Sequence, residues 1–193
     1  MRREELIAEA AITLLVERGM RGLTHRAVDE AAGLPLGSTS NLARTRAALL
    51  ALTLARLTEL EEGYFTAVPP AAGAPSDSGV MSSPEELADL MAGLLHRQLA
   101  EGRRTSLARY ELALEATRRP ELREVYDAAG RRFREVATAV LAAAGSRDPV
   151  RHGGQLVAFA EGVLFDAIAG AGAVPTPDDL RAGMRELLRG MLA

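Results

Sequence analysis

The stretch LTHRAVDEAAGLPLGSTSNLARTR, residues 23–46, decides the fold. Thr24 is a good helix N-cap, and Ala27, Val28, Ala31 and Ala32 behind it make a short apolar face at helical spacing. Gly33 stands where a helix stop needs a residue that tolerates positive φ. Pro35 suits the first turn of a second helix, where its missing N–H costs nothing. Two short helices parted by a glycine, with small alanines at their crossing, make a helix-turn-helix pattern.

The second of these helices is weak on propensity. Gly37, Ser38, Thr39, Ser40 and Asn41 each cost roughly 0.5–1 kcal/mol against Ala in a helix interior. Taken locally, the run is a polar loop. Taken as a helix, it must be held by packing, and it then presents short hydroxyl and amide side chains outward beside arginines. Such groups suit phosphate oxygens and base edges. Pattern alone leaves both readings open.

Outward from this stretch, a first helix spans residues 4–18, acidic in its first turn, with Gly19 as its stop. A fourth spans residues 45–65 with Leu49, Leu50, Leu52, Leu57 and Leu60 inward; about twenty residues reach roughly 30 Å. Residues 67–83, rich in Pro, Gly, Ser and Ala, read as a mobile loop. Ser83-Pro84-Glu85-Glu86 is a capping box with Pro at the first helical position, opening a fifth helix that ends at Gly102. Further helices follow over residues 105–119, 120–144 and 150–171, and Thr176-Pro177-Asp178-Asp179 caps a last one running to Leu192. No period-2 pattern competes, so the class is all-α, with about nine helices.

The first-helix residues Ile7, Ala10, Ala11, Leu14 and Leu15 combine with Gly19, Leu23-Thr24-His25-Arg26, Val28, Ala32-Gly33-Leu34, Gly37-Ser38, Arg46 and Leu49-Leu50. On these residues, 3–54 resemble the DNA-binding domain of the TetR (tetracycline-repressor-like) family. The chain departs from that family after Gly37-Ser38: Ser40, Asn41, Leu42 and Ala43 stand where an aromatic-rich stretch ending in His-Phe is usual. A recognition helix without that buried ring is expected to be less firmly seated. Residues 106–123 resemble, more loosely, the start of the family's effector domain. The resemblance implies a helix-turn-helix domain over residues 1–46 and a helical ligand-binding and dimerisation domain over residues 47–193. It implies that Thr24, His25, Arg26 and Arg46 hold phosphates, with Arg26 reaching a phosphate or a base and His25 equally readable as an exposed helix residue. Leu36, Gly37, Ser38, Ser40 and Asn41 then face the major groove while Thr39 turns inward. Asn41 has the geometry for adenine, and Leu36 offers only apolar contact, as to a thymine methyl.

Charge and composition fit this reading. The 193 residues carry a net charge of −3, which excludes a globally basic nucleic-acid coat. Between Arg18 and Arg46, however, five arginines face Asp29 and Glu30, a local positive surplus on an acidic whole. All 23 basic residues are Arg, so Schiff-base and P-loop lysine chemistry are excluded; with no Cys, so are disulfides and thiolate sites. A chain of 20.5 kDa hides roughly 70% of its unfolded surface, so a substantial core is available. His25, His96 and His152 sit in no metal-binding spacing, and no Gly-x-Ser-x-Gly or Gly-x-Gly-x-x-Gly occurs. Glu111 and Glu115 lie one turn apart, but Arg118 and Arg119 stand within helical reach of Glu115, which reads as a solvated ion-pair face. Neither enzyme activity, a cofactor nor a metal is expected. The most apolar run, residues 156–174, is interrupted by Glu161, Asp166 and glycines, and no leader precedes the first helix, so no membrane partner is expected and the cytoplasm is the expected location.

Three partners follow from the resemblance: an operator in double-stranded DNA, a small-molecule effector, and a second copy of the chain. The expected function is a transcriptional repressor released from a palindromic operator by that effector; the alternative is a helical ligand-binding protein of the same fold that has lost operator binding. The effector site is expected among helices four to seven, with Arg109, Tyr110, Glu111, Tyr126 and Phe133 as its candidate lining and a largely apolar ligand. Helix six looks apolar all round (Leu107, Tyr110, Leu112, Leu114), so Arg109 and Glu111 either point into a cavity or pair with neighbouring helices at the surface. The last two helices are the expected dimer interface. Leu180, Met184, Leu187, Leu188 and Met191 supply one stripe, Phe159, Val163, Ala167 and Gly170 the other, and the same stripes would serve equally to face their own core.

Overall fold

A computed structural model describes residues 2–66 and 83–193; the loop expected over residues 67–83 lies outside them apart from Ser83. Among the described residues there are nine helices and no strand, so the chain is all-α. They are α1 (Arg3–Gly22), α2 (His25–Ala31), α3 (Ser38–Leu42), α4 (Arg46–Thr66), α5 (Pro84–Glu101), α6 (Arg103–Ala116), α7 (Pro120–Ala143), α8 (Pro149–Ile168) and α9 (Pro177–Leu192). Each matches an expected helix to within a few residues. The expected stop at Gly19 is a break rather than an end: Gly19 leaves helical geometry (φ 62°, ψ −170°) and the chain resumes one more turn to Gly22.

The helices sort into two compact units. The first comprises Met1–Gly63 and Arg103–Ala129, the second Tyr64–Gly102 and Gly130–Ala193. The boundary expected after Arg46 thus falls inside the first unit. The reason is that α6 packs along α1, adding Ala108, Leu112 and Ala116 to a core built on Ile7, Ala11, Ile12, Leu15, Leu50 and Leu57. Hydrogen bonds and ion pairs around Glu9 reinforce this core. Arg104 donates to the Glu9 carbonyl at 3.0 Å and to the Thr13 hydroxyl at 2.8 Å, while Arg56 of α4 donates to the Glu9 carboxylate at 2.9 Å.

In the second unit α9 lies along α5. Its capping box is formed as expected: the Thr176 hydroxyl accepts from the Asp179 amide at 3.2 Å, and the Asp179 carboxylate accepts from the Thr176 amide at 3.1 Å. Ser83 caps α5 by accepting from the Glu86 amide at 3.2 Å, with Pro84 at the first position. α7 and α8 approach closely at Gly153, where a Cβ would stand 2.9 Å from the Thr138 amide nitrogen; any larger residue would force the helices apart.

Candidate nucleic-acid interface

α2 begins where expected, with the Thr24 hydroxyl accepting from the Ala27 amide at 3.1 Å. It ends in a Schellman turn: Gly33 (φ 64°) donates to Glu30 at 3.2 Å and Leu34 to Asp29 at 2.9 Å. Pro35 is not the first residue of the next helix. It precedes it, its carbonyl accepting from Ser38 at 3.1 Å, and Gly37 is the N-cap in left-handed backbone (φ 90°), a conformation that strains any residue with a Cβ. The glycine that looked poor as a helix residue is therefore outside the helix, where its freedom is required.

The remaining four poor formers are a helix because Asp29 makes them one. Its carboxylate, 1% exposed, accepts from the Gly37 amide at 2.7 Å, the Thr39 amide at 2.7 Å and the Thr39 hydroxyl at 2.6 Å. Two backbone donors at the start of α3, which would otherwise lack partners, are satisfied from α2. Burial alone would push the Asp29 carboxyl up. The hydrogen bonds from the Thr39 hydroxyl, the Thr39 amide and the Gly37 amide, with a smaller share from His25, outweigh it and hold the group below the usual aspartate range. At the other end of α3, His25 lies 2.7 Å from the Ala43 carbonyl; only its Nε2–H can make that bond. Ala43 itself is buried, so the position where the related pattern carries a ring is filled by core and tied by an imidazole.

The expected contact residues divide. Thr24, Arg26, Leu36, Ser40 and Asn41 are exposed, Leu36 at 76%. Thr39 is fully buried, turned inward as expected. Ser38, expected at the groove, is buried instead, and Gly37 is half-buried at the cap. Arg46, expected on a phosphate, donates to the Leu23 and Met20 carbonyls at 2.6 Å each; it closes the end of α1 rather than reaching outward. His25 is half-buried and committed to Ala43. Leu42 and Arg44, one and three residues after Asn41, are exposed as well, although the sequence reading did not single them out. Asp29 was also missed as the organiser. Its signal was an acid among alanines on the buried side of a short helix.

In the same unit, Arg109 pairs with Glu61 of α4 at 2.8 Å, both side chains largely buried, and its guanidinium carbon lies 5.3 Å from the Tyr110 ring centre. Tyr126 presents its hydroxyl 3.5 Å from Arg109 Nη1. Glu111 points elsewhere, toward the α1 break, its carboxylate 3.9 Å from where a Gly19 Cβ would stand. Phe133 belongs to the second unit. α6 is not apolar all round in its surroundings, since Leu114 is 62% exposed.

In the second unit Leu180, Met184, Leu188 and Met191 are buried within the chain itself, α9 lying along α5, so these four expected interface residues serve their own core. Leu187, Phe159, Val163 and Ala167 are half-buried, Gly170 is exposed, and Phe165 is 51% exposed. Ser146 lies 2.7 Å from His152 Nδ1, a spacing that resembles a nucleophile pair. Arg151 stands 2.7 Å from His152 Nε2, and a guanidinium only donates. Nε2 therefore accepts, Nδ1–H donates to the serine oxygen, and the imidazole cannot take the serine proton. Among the described residues no group of His, Asp and Glu is arranged to hold a metal, and no helix is long and apolar enough to cross a membrane.

A family model described as "Tetracyclin repressor-like, C-terminal domain" matches residues 82–193, more than half of the chain. The chain belongs to the TetR family. Solved structures agree over its whole length. A TetR-family member from Streptomyces coelicolor A3 is 29% identical with a TM-score of 0.76, covering 100% of this chain and 99% of that one. The multidrug binding protein EbrR complexed with malachite green is 30% identical with a TM-score of 0.72, again covering 100% and 99%. A transcriptional regulator from Rhodococcus sp. Rha1 shares the fold at 22% identity and a TM-score of 0.79, covering 98% and 95%. No curated protein sequence matches. The chain has the fold of TetR-family transcriptional regulators, and the family match lies in the half that the sequence resemblance covered more loosely.

Proposed function

We propose that the chain is a DNA-binding transcriptional repressor, held on a palindromic operator as a homodimer and released by a small-molecule effector in the cytoplasm. The observation that carries this is the surface of α3. Ser40 and Asn41 are exposed on a helix too polar to be core, with Leu36 and Leu42 beside them and Arg26 and Arg44 exposed at its flanks. Asn41 suits an adenine edge, Leu36 a thymine methyl, and Arg26, Arg44 and the Thr24 hydroxyl suit phosphates. The tie from His25 to Ala43 favours this over a relic fold without DNA binding, since α3 is held without the missing ring.

One helix-turn-helix reads too few base pairs alone, so two copies on half-sites ~34–36 Å apart are required. The α8 surface, with Phe165 and the half-buried Phe159, Val163 and Ala167, together with Leu187 and Gly170, is the proposed interface. Residues 1–46 are proposed as the DNA-reading part and 47–193 as the part that binds effector and partner. The relative EbrR, described as a multidrug binding protein, supports an effector with an apolar body, bound near Arg109, Tyr110 and Tyr126. Selection from random DNA tests the reading. It should enrich a palindrome, and Asn41→Ala should shift the preferred base at one position in each half-site, by about 1–3 kcal/mol of discrimination. Enrichment of nothing overturns DNA recognition; a monomeric mass by light scattering at micromolar concentration overturns the dimer.

A further inference from the structure

Leu36 stands on the turn between α2 and α3 and is 76% exposed, more than any other large apolar side chain among the described residues. The turn that carries it is fixed on both sides. Behind it the Pro35 carbonyl accepts from the Ser38 amide at 3.1 Å, and ahead of it the Gly37 amide donates to the buried Asp29 carboxylate at 2.7 Å. Apart from its chain neighbours, nothing lies within 4 Å of where a Gly37 Cβ would stand, so the ground next to Leu36 is open. No residue between Pro35 and Thr45 is acidic, and Arg44 is exposed among them, so phosphates can approach. Ser40 and Asn41 can read base edges through hydrogen bonds, but Leu36 has neither donor nor acceptor. Pressed against a polar base edge, it displaces water and gives no hydrogen bond in return. The one apolar group that a base pair shows in the major groove is a pyrimidine C5 methyl.

We infer that Leu36 reads the C5 methyl group of a pyrimidine and nothing else of that base, so that thymine and 5-methylcytosine serve it while uracil and unmethylated cytosine do not. This rests on the DNA-binding reading above and extends it from thymine to a chemical class, the C5-methylated pyrimidines. Both members of the class carry the methyl at the same place in the groove. They differ at the neighbouring ring carbon, where thymine has a carbonyl and 5-methylcytosine an amino group. A hydroxyl or amide side chain distinguishes those two groups by hydrogen bonding; a leucine cannot. The fixed turn matters here, because a side chain carried on a mobile loop would lose in ordering what one methyl contact contributes. Where a cytosine stands under Leu36, methylation at its C5 therefore strengthens binding, and occupancy of such a site responds to DNA methylation.

The test takes the palindrome enriched from random DNA and measures its affinity for the purified full-length chain by fluorescence anisotropy at fixed ionic strength. Each thymine of the half-site is replaced in turn by uracil, with its adenine retained. At one position uracil should weaken wild-type binding about fourfold per half-site, the worth of one buried methyl group, and about fifteenfold when both halves are changed. At that position 5-methylcytosine should bind more tightly than cytosine by the same factor, both opposite guanine, so that only the methyl differs within each pair. Leu36→Ala should erase both factors, and Leu36→Met, which keeps an apolar side chain of similar size, should retain them. Because Leu36 is exposed, both variants should unfold in urea as the wild type does. Uracil also alters the shape of the DNA, but equally for every variant, so a factor that survives Leu36→Ala overturns the inference. A uracil effect without a matching 5-methylcytosine effect overturns it too, as does the absence of any uracil-sensitive position. Each of those results, obtained on an enriched palindrome, leaves DNA recognition standing. Enrichment of nothing overturns that reading and this inference with it.

Discussion

α3 and α9 are held by opposite means. α9 is a 16-residue helix that opens on its own capping box and buries Leu180, Met184, Leu188 and Met191 at three- and four-residue intervals. Each step is local or periodic, and α5 receives it with an apolar surface and an ion pair, Arg185 donating to Asp89 at 2.9 Å. α3 has five residues, four of them polar, and no apolar stripe. It exists because Asp29, eight and ten residues away, satisfies its first amides, and because His25 meets the carbonyl that follows it. One helix is made by its own sequence; the other is made by its neighbour's, which leaves its outer face free of any structural duty. The proposed DNA-reading surface is the one built in the second way, since side chains chosen for base edges cannot also be chosen for helix propensity or burial.

The largest effect should come from the apolar side of the contrast. Leu188 is fully buried, so Leu188→Ala removes packed volume and should cost about 3 kcal/mol in urea denaturation, within the usual range for such truncations. Operator affinity per folded molecule should stay unchanged. A loss below about 1 kcal/mol would mean the stripe is not the core it looks to be.

The polar side should respond in the other order. Asp29→Ala strips partners from three buried or half-buried donors and should cost about 2 kcal/mol, less than Leu188→Ala because a five-residue helix can unravel into water. Its effect on DNA should be far greater, with sequence-specific binding lost while the melt of the remaining helices persists. Acid probes the same group without mutation. The Asp29 carboxyl is held below its ordinary value, so its contribution is fully present above the unfolded pKa near 4 and disappears as the pH falls through the lower folded value. Amide exchange at Gly37 and Thr39 should therefore accelerate below about pH 4 before exchange in α9 does. Equal acceleration in both would show that Asp29 is not what holds α3.

This difference also governs how much could be read from sequence. Helix starts set by local chemistry, such as Ser83-Pro84 and Thr176-Pro177, were legible to within a residue or two. So was the positive φ at Gly33. The roles of Arg46, Ser38 and the α9 stripe were not, because a pattern reports that a face is apolar or a residue charged and not what meets it. Arg46 has the same composition signature on a phosphate as on the carbonyls of Met20 and Leu23. Leu188 has the same periodicity in a core as at an interface. Asp29 was hidden by its position on α2, since its partners belong to another helix.

The smallest expected effect sharpens the contrast from the local side. Thr176 makes two of the capping-box bonds and also donates its hydroxyl to the Asp179 carboxylate at 2.6 Å; that bond is the chief reason the Asp179 carboxyl sits below its usual range. All of these groups are exposed, so water replaces what Thr176→Ala removes, and the remaining loss is that of an N-cap. A cap of ordinary worth in a chain of this length moves Tm by about 2–4 °C. Thr176→Ser, which keeps the acceptor oxygen, should restore most of it. The apolar stripe remains, so α9 should start a turn later in hydrogen exchange and stay intact beyond Leu180. If the whole of α9 lost protection instead, the cap rather than the stripe would be holding it, and α9 would resemble α3 after all.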